Sequence, residues 1–389
     1  MRIGIDATCW SNRRGYGRFV RALLTAALEI DRVNQYVFFL DDASAEFPPP
    51  AGVEVIRVKA SVPTIQAAAA DGSRSVLDMW AMSRAISACP LDIFFFPSVY
   101  SFVPLFSRVP RLVAIHDVIP ELFPELVFPS VRAKLFWRAK VKLACTQATR
   151  VLTVSEYSRQ RLAEVLKLDP AEIRVVPEAG APQFRRMDSI DDAALALRLK
   201  IPAGSRMLVY VGGFSPHKNL PMLVDVFSAL AAQPQFSDVR LILVGDFEGD
   251  VFHSGYAELK SQVSRLGLEE RVIFSGYLGD EHLVPLLNRA TALVLPSFCE
   301  GFGLPAMEAA ACGTPSVITT RSPLPELLGE GAIALEPDDR AGWQAALARI
   351  LSDPALRERM SVAALAAAHA LSWQASARQL LAIFDEVRR

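Results

Sequence analysis

Glu300 and Glu308 bracket the segment Gly301-Phe302-Gly303-Leu304-Pro305-Ala306-Met307. The apolar run Ala292-Leu293-Val294-Leu295 comes before it, and Ala309-Ala310-Ala311-Cys312 comes after. This pattern predicts a buried strand, a glycine turn and a helix. Pro305 suits the first helical turn, where its missing N–H would have had no partner. The amides of Phe302, Gly303 and Leu304 then point out of the helix start, where a phosphate can bind. Carboxylates on both sides of such a site can hold hydroxyls flanking a diphosphate, as a sugar nucleotide requires. A carboxylate capping its own helix is the plainer reading, and it fits Glu300 but not Glu308.

Three further constellations carry polar chemistry. Val211-Gly212-Gly213-Phe214-Ser215-Pro216-His217-Lys218-Asn219 joins an apolar run to a helical one. Its glycines allow close backbone approach, and Lys218 near a helix start can neutralise a phosphate. His116-Asp117 ends the run Leu112–Ile115; a histidine there either lines a ligand cleft or is a hydrogen-bonded structural residue. Gly15-Tyr16-Gly17 follows the first apolar run, with Arg13, Arg14, Arg18 and Arg21 around it. Those arginines suit an anionic acceptor or a solvated face. With Asp41 and Asp42 after a second run, the same glycines form half of a dinucleotide fingerprint. An NAD-dependent oxidoreductase is therefore a rival, although Val20 replaces the third glycine. The five histidines show no metal-ligand spacing and no Asp-x-Asp occurs, so no metal is expected.

These residues need a scaffold. The chain has 389 residues, 51% hydrophobic and 21% charged, with a formal net charge of -1. That length exceeds the ~250–300 residues at which one core stops growing, so two domains are expected. The charge gives no global reason to expect nucleic acid. Five scattered cysteines without Cys-x-x-Cys suit buried thiols in a reducing cytoplasm. Met1–Asp6 reads as a first strand and not a signal peptide. No apolar run reaches the ~18 residues of a membrane span. Any membrane contact is then peripheral, and the basic helical stretch Ser130–Thr146 is the segment for it, unless its charges form a solvated outer face.

Strand-like and helical runs alternate along both halves, which implies α/β domains built on doubly wound parallel sheets. The mixed segment Pro177–Ser205 separates the halves. The expected domains are 1–185 and 186–372, with a helical tail at 373–389. Ligands of such sheets bind beyond the carboxyl ends of the strands, so motifs in both halves point to a central cleft.

Taken together, the chain resembles the retaining GT-B glycosyltransferases of family four (group 1). Glu300-x7-Glu308 is the most specific signature. Val154-Ser155-Glu156-Tyr157-Ser158, Val175-Val176-Pro177, Pro216-His217-Lys218-Asn219 and Ala311-Cys312-Gly313-Thr314-Pro315 support it. His116-Asp117-Val118-Ile119-Pro120 resembles the mannosyltransferase branch. The resemblance implies two Rossmann-like domains facing a cleft, with the C-terminal helix packing back on the first domain. It implies metal-independent transfer of a hexose, with retained configuration, to a glycan or lipid-linked acceptor in the cytoplasm. GDP-mannose is the expected donor and a UDP-sugar the alternative; a sugar-nucleotide-binding protein without turnover is a further one. It assigns Glu308 to the ribose, Glu300 to a donor-sugar hydroxyl, and Lys218 to the diphosphate. Gly212, Gly213, Phe302, Gly303 and Leu304 assist at the donor, Tyr277 and Leu278 line the base pocket, and His116 sits beside the donor sugar. Gly15, Gly17 and Arg18 belong to the acceptor-side loop. Many relatives carry an arginine where Gly213 stands, and another in place of His217. Arg18 is the cation expected to compensate.

Overall fold

A computed structural model of the chain describes residues 1–12, 15–41, 48–61, 64, 75–247 and 254–388. Arg13, Arg14 and Asp42 of the glycine-loop reading lie outside them. The chain forms two compact units: Met1–Glu178 with Ser372–Arg389, and Ala179–Leu371. The first boundary thus falls at Glu178, several residues before the expected 185.

Unit 1 holds a seven-stranded sheet in the order β3-β2-β1-β4-β5-β6-β7. The strands are β1 (Arg2–Asp6), β2 (Gln35–Asp41), β3 (Glu54–Val58), β4 (Ile93–Phe96), β5 (Arg111–Ala114), β6 (Arg150–Thr153) and β7 (Ile173–Val175). All their pairings are parallel. A sheet covered on both faces needs continuous apolar strands, and β4, Ile-Phe-Phe-Phe, is buried at every position. Sequential order reverses between β1 and β4, which pair directly. The helices Gly15–Ile30 and Trp373–Arg388 pack together within this unit. Ser376 Oγ, in the latter, donates to the Pro177 carbonyl at 2.7 Å.

Unit 2 holds a six-stranded sheet in the order β10-β9-β8-β11-β12-β13. The strands are β8 (Arg206–Val211), β9 (Val239–Val244), β10 (Val272–Gly276), β11 (Ala292–Leu295), β12 (Ser316–Thr319) and β13 (Ala332–Leu335). These too pair in parallel, and the reversal lies between β8 and β11.

Periodicity located twelve of these strands and missed β13, which is short and only half-buried. It also missed several helices. Asp192–Leu199 lies in the segment read as a linker; Asp191 caps it by accepting from the Ala194 amide at 2.9 Å. Pro354–His369 buries only Met360, Ser361 and Ala364, too few apolar positions to show a period. The helix Val131–Gln147 is capped by Ser130 and turns Trp137, Val141 and Ala144 inward.

Trp137 Nε1 donates to Glu121 Oε1 at 2.6 Å. Burial pushes the Glu121 carboxyl up to about 7; the Trp137 bond opposes this and the Asp117 charge adds to it. The protonated acid is favoured by folding. Its contribution is therefore full below the ordinary carboxyl range and is lost as pH rises through 7. Glu121→Gln keeps an acceptor for Trp137 and removes the charge. It should stabilise the protein at pH 8 by roughly 1–3 kcal/mol and by much less at pH 5. Denaturant unfolding at the two pH values checks this, and equal gains at both would contradict it.

Candidate functional site

The strand reversal in unit 2 places two loops side by side, one after β8 and one after β11. Crevices at such points are where doubly wound sheets bind ligands. The β8 loop carries Lys218 and the β11 loop carries Glu300. Lys218 Nζ meets Glu300 Oε1 at 2.8 Å, with side chains 19% and 11% exposed. The same Oε1 accepts from Ser297 Oγ at 2.6 Å. A buried carboxylate needs such partners, because desolvation without them is costly.

The backbone holds both loops in place. Asn219, buried and left-handed at φ 56°, donates to the carbonyls of Pro296 at 3.2 Å and Pro337 at 2.9 Å. The Phe298 amide donates to the His217 carbonyl at 2.9 Å, and the Glu300 amide to the Arg321 carbonyl at 3.1 Å. Gly303 precedes the helix Leu304–Ala311 with φ 88°, and no side chain caps that helix start. A Cβ on Gly303 would lie 2.6 Å from Leu324 Cδ1. Glycine is therefore required there on two counts, conformation and space. One turn on, Glu308 is buried on the same helix. Together with burial, its charge helps push the Cys312 thiol up to about 12.

Other expected donor residues fall in the same unit. Gly212 packs so closely on Tyr210 that a Cβ would lie 2.5 Å from its hydroxyl, and that hydroxyl donates to the Gly213 carbonyl at 2.6 Å. Phe302 and Leu304 are buried. At the end of β10, Gly276 turns at φ 72°; Tyr277 is exposed and Leu278 is buried. His217 adds no cation beside Lys218, because burial and the neighbouring lysine hold its imidazole well below the usual range.

In unit 1, Gly17 and Gly15 differ. A Cβ on Gly17 would lie 1.9 Å from the Asn12 carbonyl oxygen, whereas one on Gly15 meets nothing within 4 Å. Arg21 Nη1 donates to the carbonyls of Asn12 and Trp10 and so locks this loop. Arg18 is half-buried on the helix Gly15–Ile30. Asp41 is buried and accepts from the Thr64 amide at 2.6 Å. It serves the backbone there and not a ribose; Asp42, the other carboxylate of the dinucleotide reading, lies outside the described residues.

His116 lies two residues beyond β5, in the loop that follows. Its Nε2 is 3.0 Å from the Pro97 carbonyl, and its Nδ1 is 3.5 Å from Glu178 Oε1. Phe19 meets the ring edge-on at 4.6 Å between centroids. Burial disfavours the charged ring, but the contact with Glu178, the Pro97 carbonyl and the Asp117 charge outweigh it and hold the imidazole above its ordinary range. Sequence reasoning missed Glu178 and Ser297. Ser297 stands three residues before a carboxylate already singled out, and Glu178 directly follows the quoted Val175-Val176-Pro177.

Two family profiles match the chain, one over most of unit 1 and one within unit 2. "Glycosyltransferase Family 4" covers residues 14–179 and "Glycosyl transferases group 1" covers 195–366. The chain belongs to the family 4, group 1 glycosyltransferases. An O-antigen chain mannosyltransferase B of Escherichia coli is 31% identical over 58% of this chain and 58% of that protein. A D-inositol 3-phosphate glycosyltransferase of Corynebacterium glutamicum is 32% identical over 56% of this chain and 52% of that protein. These matches span little more than half the length of the curated relatives. The solved structure of sucrose-phosphate synthase from Thermosynechococcus elongatus superposes with a TM-score of 0.78, at 20% identity, over 100% of this chain and 99% of that one. That likeness shows the fold, GT-B with two Rossmann-like domains, as the resemblance implied. The group 1 profile contains the Lys218–Glu300 pair and Glu308; the family 4 profile contains Gly17, His116 and Glu178.

The glycine pair allows a direct check on the family 4 segment. Gly17→Ala should destabilise the protein by roughly 1–3 kcal/mol through overpacking against Asn12. Gly15→Ala should change stability by less than about 1 kcal/mol in either direction. Thermal unfolding of both variants reads the contrast; equal effects would contradict the packing described.

Proposed function

We propose that this family member is a retaining glycosyltransferase that moves a hexose from a nucleotide diphosphate sugar to an acceptor hydroxyl. GDP-mannose is the donor this reading favours. A glycan or lipid-linked oligosaccharide of a surface polysaccharide is the acceptor, and the cytoplasmic face of a membrane is the place of action. The relationship to an O-antigen mannosyltransferase supports mannose as the sugar. The observation that carries the reading is the 2.8 Å contact between Lys218 and Glu300 beside the uncapped helix start at Leu304.

Chemically, that arrangement is an exchange site. Without donor, the lysine and the carboxylate neutralise each other. An arriving diphosphate offers Lys218 a stronger anionic partner and meets the helix amides. Glu300 is then released to accept from a hydroxyl of the sugar, while Glu308 receives the ribose hydroxyls. As the bond from the anomeric carbon to the phosphate oxygen breaks, charge grows on the leaving group, and Lys218 with the helix start stabilises it. Glu300, committed to a hydroxyl, is not the nucleophile that a double displacement would need. The acceptor oxygen bonds to the anomeric carbon on the face the phosphate leaves, and its proton passes to a phosphate oxygen.

Lys218→Ala should lower turnover by about 100-fold or more with the fold intact, and Glu308→Gln should raise the donor KM more than the acceptor KM. A thermal-shift comparison of GDP, UDP and ADP tests the site directly. A nucleoside diphosphate at about 100 times its Kd adds about 2.7 kcal/mol of apparent stability. If none of the three raises Tm, the reading fails; a product of inverted configuration would remove retention from it.

A further observation favours contact with an anionic lipid surface. The helix Val131–Gln147 exposes Val131, Leu135, Phe136 and Leu143 among the exposed basic residues Arg132, Arg138 and Lys142. It has no acidic residue. Apolar side chains with interleaved cations suit an anionic bilayer interface. Among the described residues no helix is long and apolar enough to cross a membrane. The protein should therefore co-sediment with vesicles containing anionic phospholipid and not with neutral ones, and Leu135→Ser with Phe136→Ser should reduce that binding several-fold. Absence of binding to anionic vesicles would exclude the contact.

A further inference from the structure

The ring of His116 is bordered by hydrogen-bond acceptors at both nitrogens. Pro97 presents a carbonyl oxygen 3.0 Å from Nε2, and Glu178 a carboxylate oxygen 3.5 Å from Nδ1. Neither can donate to a ring nitrogen while Glu178 is ionised. A neutral imidazole carries one N–H and would leave one nitrogen facing an acceptor, lone pair to lone pair. Only the imidazolium, with two N–H groups, satisfies both. The Glu178 contact is long for a hydrogen bond, so its share is chiefly the attraction of opposite charges.

The surroundings keep the ring where it is. Phe19 packs edge-on against it from the helix Gly15–Ile30, and Trp373 packs against Phe19. Glu178 is only 5% exposed and directly follows Pro177, whose carbonyl accepts from Ser376. The charged groups acting on the ring are Glu178 and Asp117, both anionic.

We infer that Glu178 is a positioning residue that holds His116 as an imidazolium between a carbonyl and a carboxylate, so that His116 serves transfer as a fixed cation and not as a proton acceptor. The inference rests on the proposed transferase reading, and it sharpens it. When the bond to the phosphate breaks and the bond to the acceptor oxygen forms, the acceptor proton goes to the leaving phosphate, and His116 neither gives nor takes one. The dyad is intact where Glu178 is ionised and His116 is protonated. It is lost as pH rises through the raised titration of His116, because the neutral ring can no longer serve both acceptors. Activity should fall along the same limb.

The test combines an NMR titration with a pH–rate profile. The chain has five histidines, so the His116 resonance can be assigned by its loss in His116→Gln. In the wild-type protein, without any sugar nucleotide, its midpoint should lie above the ordinary value of about 6.5. Glu178→Gln should lower that midpoint by about one unit or more and move the alkaline limb of kcat by a similar amount; Glu178→Asp should restore most of both. A wild-type midpoint at or below about 6.5 would overturn the inference. So would a Glu178→Gln variant that leaves midpoint and limb unchanged. If Glu178→Gln does not fold, the wild-type titration and the Asp variant decide. Because the titration needs no donor, it separates failure of this dyad from failure of the transferase reading, which the nucleotide thermal shift measures.

Discussion

A lysine and a glutamate 82 residues apart in sequence meet at 2.8 Å, and much of unit 2 is arranged so that they can. Two largely buried charges persist only if they remain paired and their remaining lone pairs are served. Ser297 supplies one of those bonds, and Asn219 pins the lysine's turn to the carbonyl ends of two other segments. The order reversal between β8 and β11 makes this meeting feasible. Neighbouring parallel strands bring their carboxyl ends to the same edge, and the loops leaving them diverge around a shared opening. Removing either charge would leave the other buried and unpaired. The pair therefore ties stability of the site to its ability to exchange partners.

The same logic explains which parts of the molecule were legible in the sequence. Parallel strands covered on both faces are continuous apolar runs, and Ile93–Phe96 or Ala292–Leu295 can hardly be read otherwise. The turn at Gly303 was legible because glycine followed by Leu-Pro has few other uses, and its φ of 88° confirms the need. Helices that bury a narrow stripe, such as Pro354–His369, carry little periodic signal. The domain boundary was placed late because Pro177–Ser205 looks like a linker by composition, although Asp191 starts a helix within it. Sequence reasoning could name Lys218 and Glu300 separately. It could not show that they pair, because that contact depends on which strands are neighbours.

Glycine identity alone was a poor guide to glycine function. Gly15 and Gly17 look equivalent in a Gly-x-Gly pattern, yet only Gly17 faces a backbone carbonyl too close for any side chain. Asp41, at the end of β2, looked like the acidic part of a dinucleotide site. Asp41 is instead buried against the Thr64 amide. In both cases a pattern of residue types fits several structures, and the backbone contact decides between them. His217 is a similar case. By composition it resembles a substitute cation, but burial beside Lys218 keeps it neutral, so within that loop Lys218 alone carries positive charge.

Each unit places a basic side chain against a carboxylate in the loops beyond the carboxyl edge of its sheet, and the two pairs differ in kind. Lys218 has three donor hydrogens on a flexible stem, so it can turn from Glu300 to another anion without leaving its loop. His116 is a rigid ring set between two acceptors, with Phe19 against its edge. Such a ring cannot turn toward a new partner without abandoning both old ones. An exchangeable cation suits a charge that arrives and departs with a ligand. A locked one suits a field that must stay constant while bonds change. Burial alone does not separate the pairs, since all four side chains are less than a fifth exposed. The geometry of the donors does, and that geometry follows from whether the sequence places a lysine or a histidine after the strand.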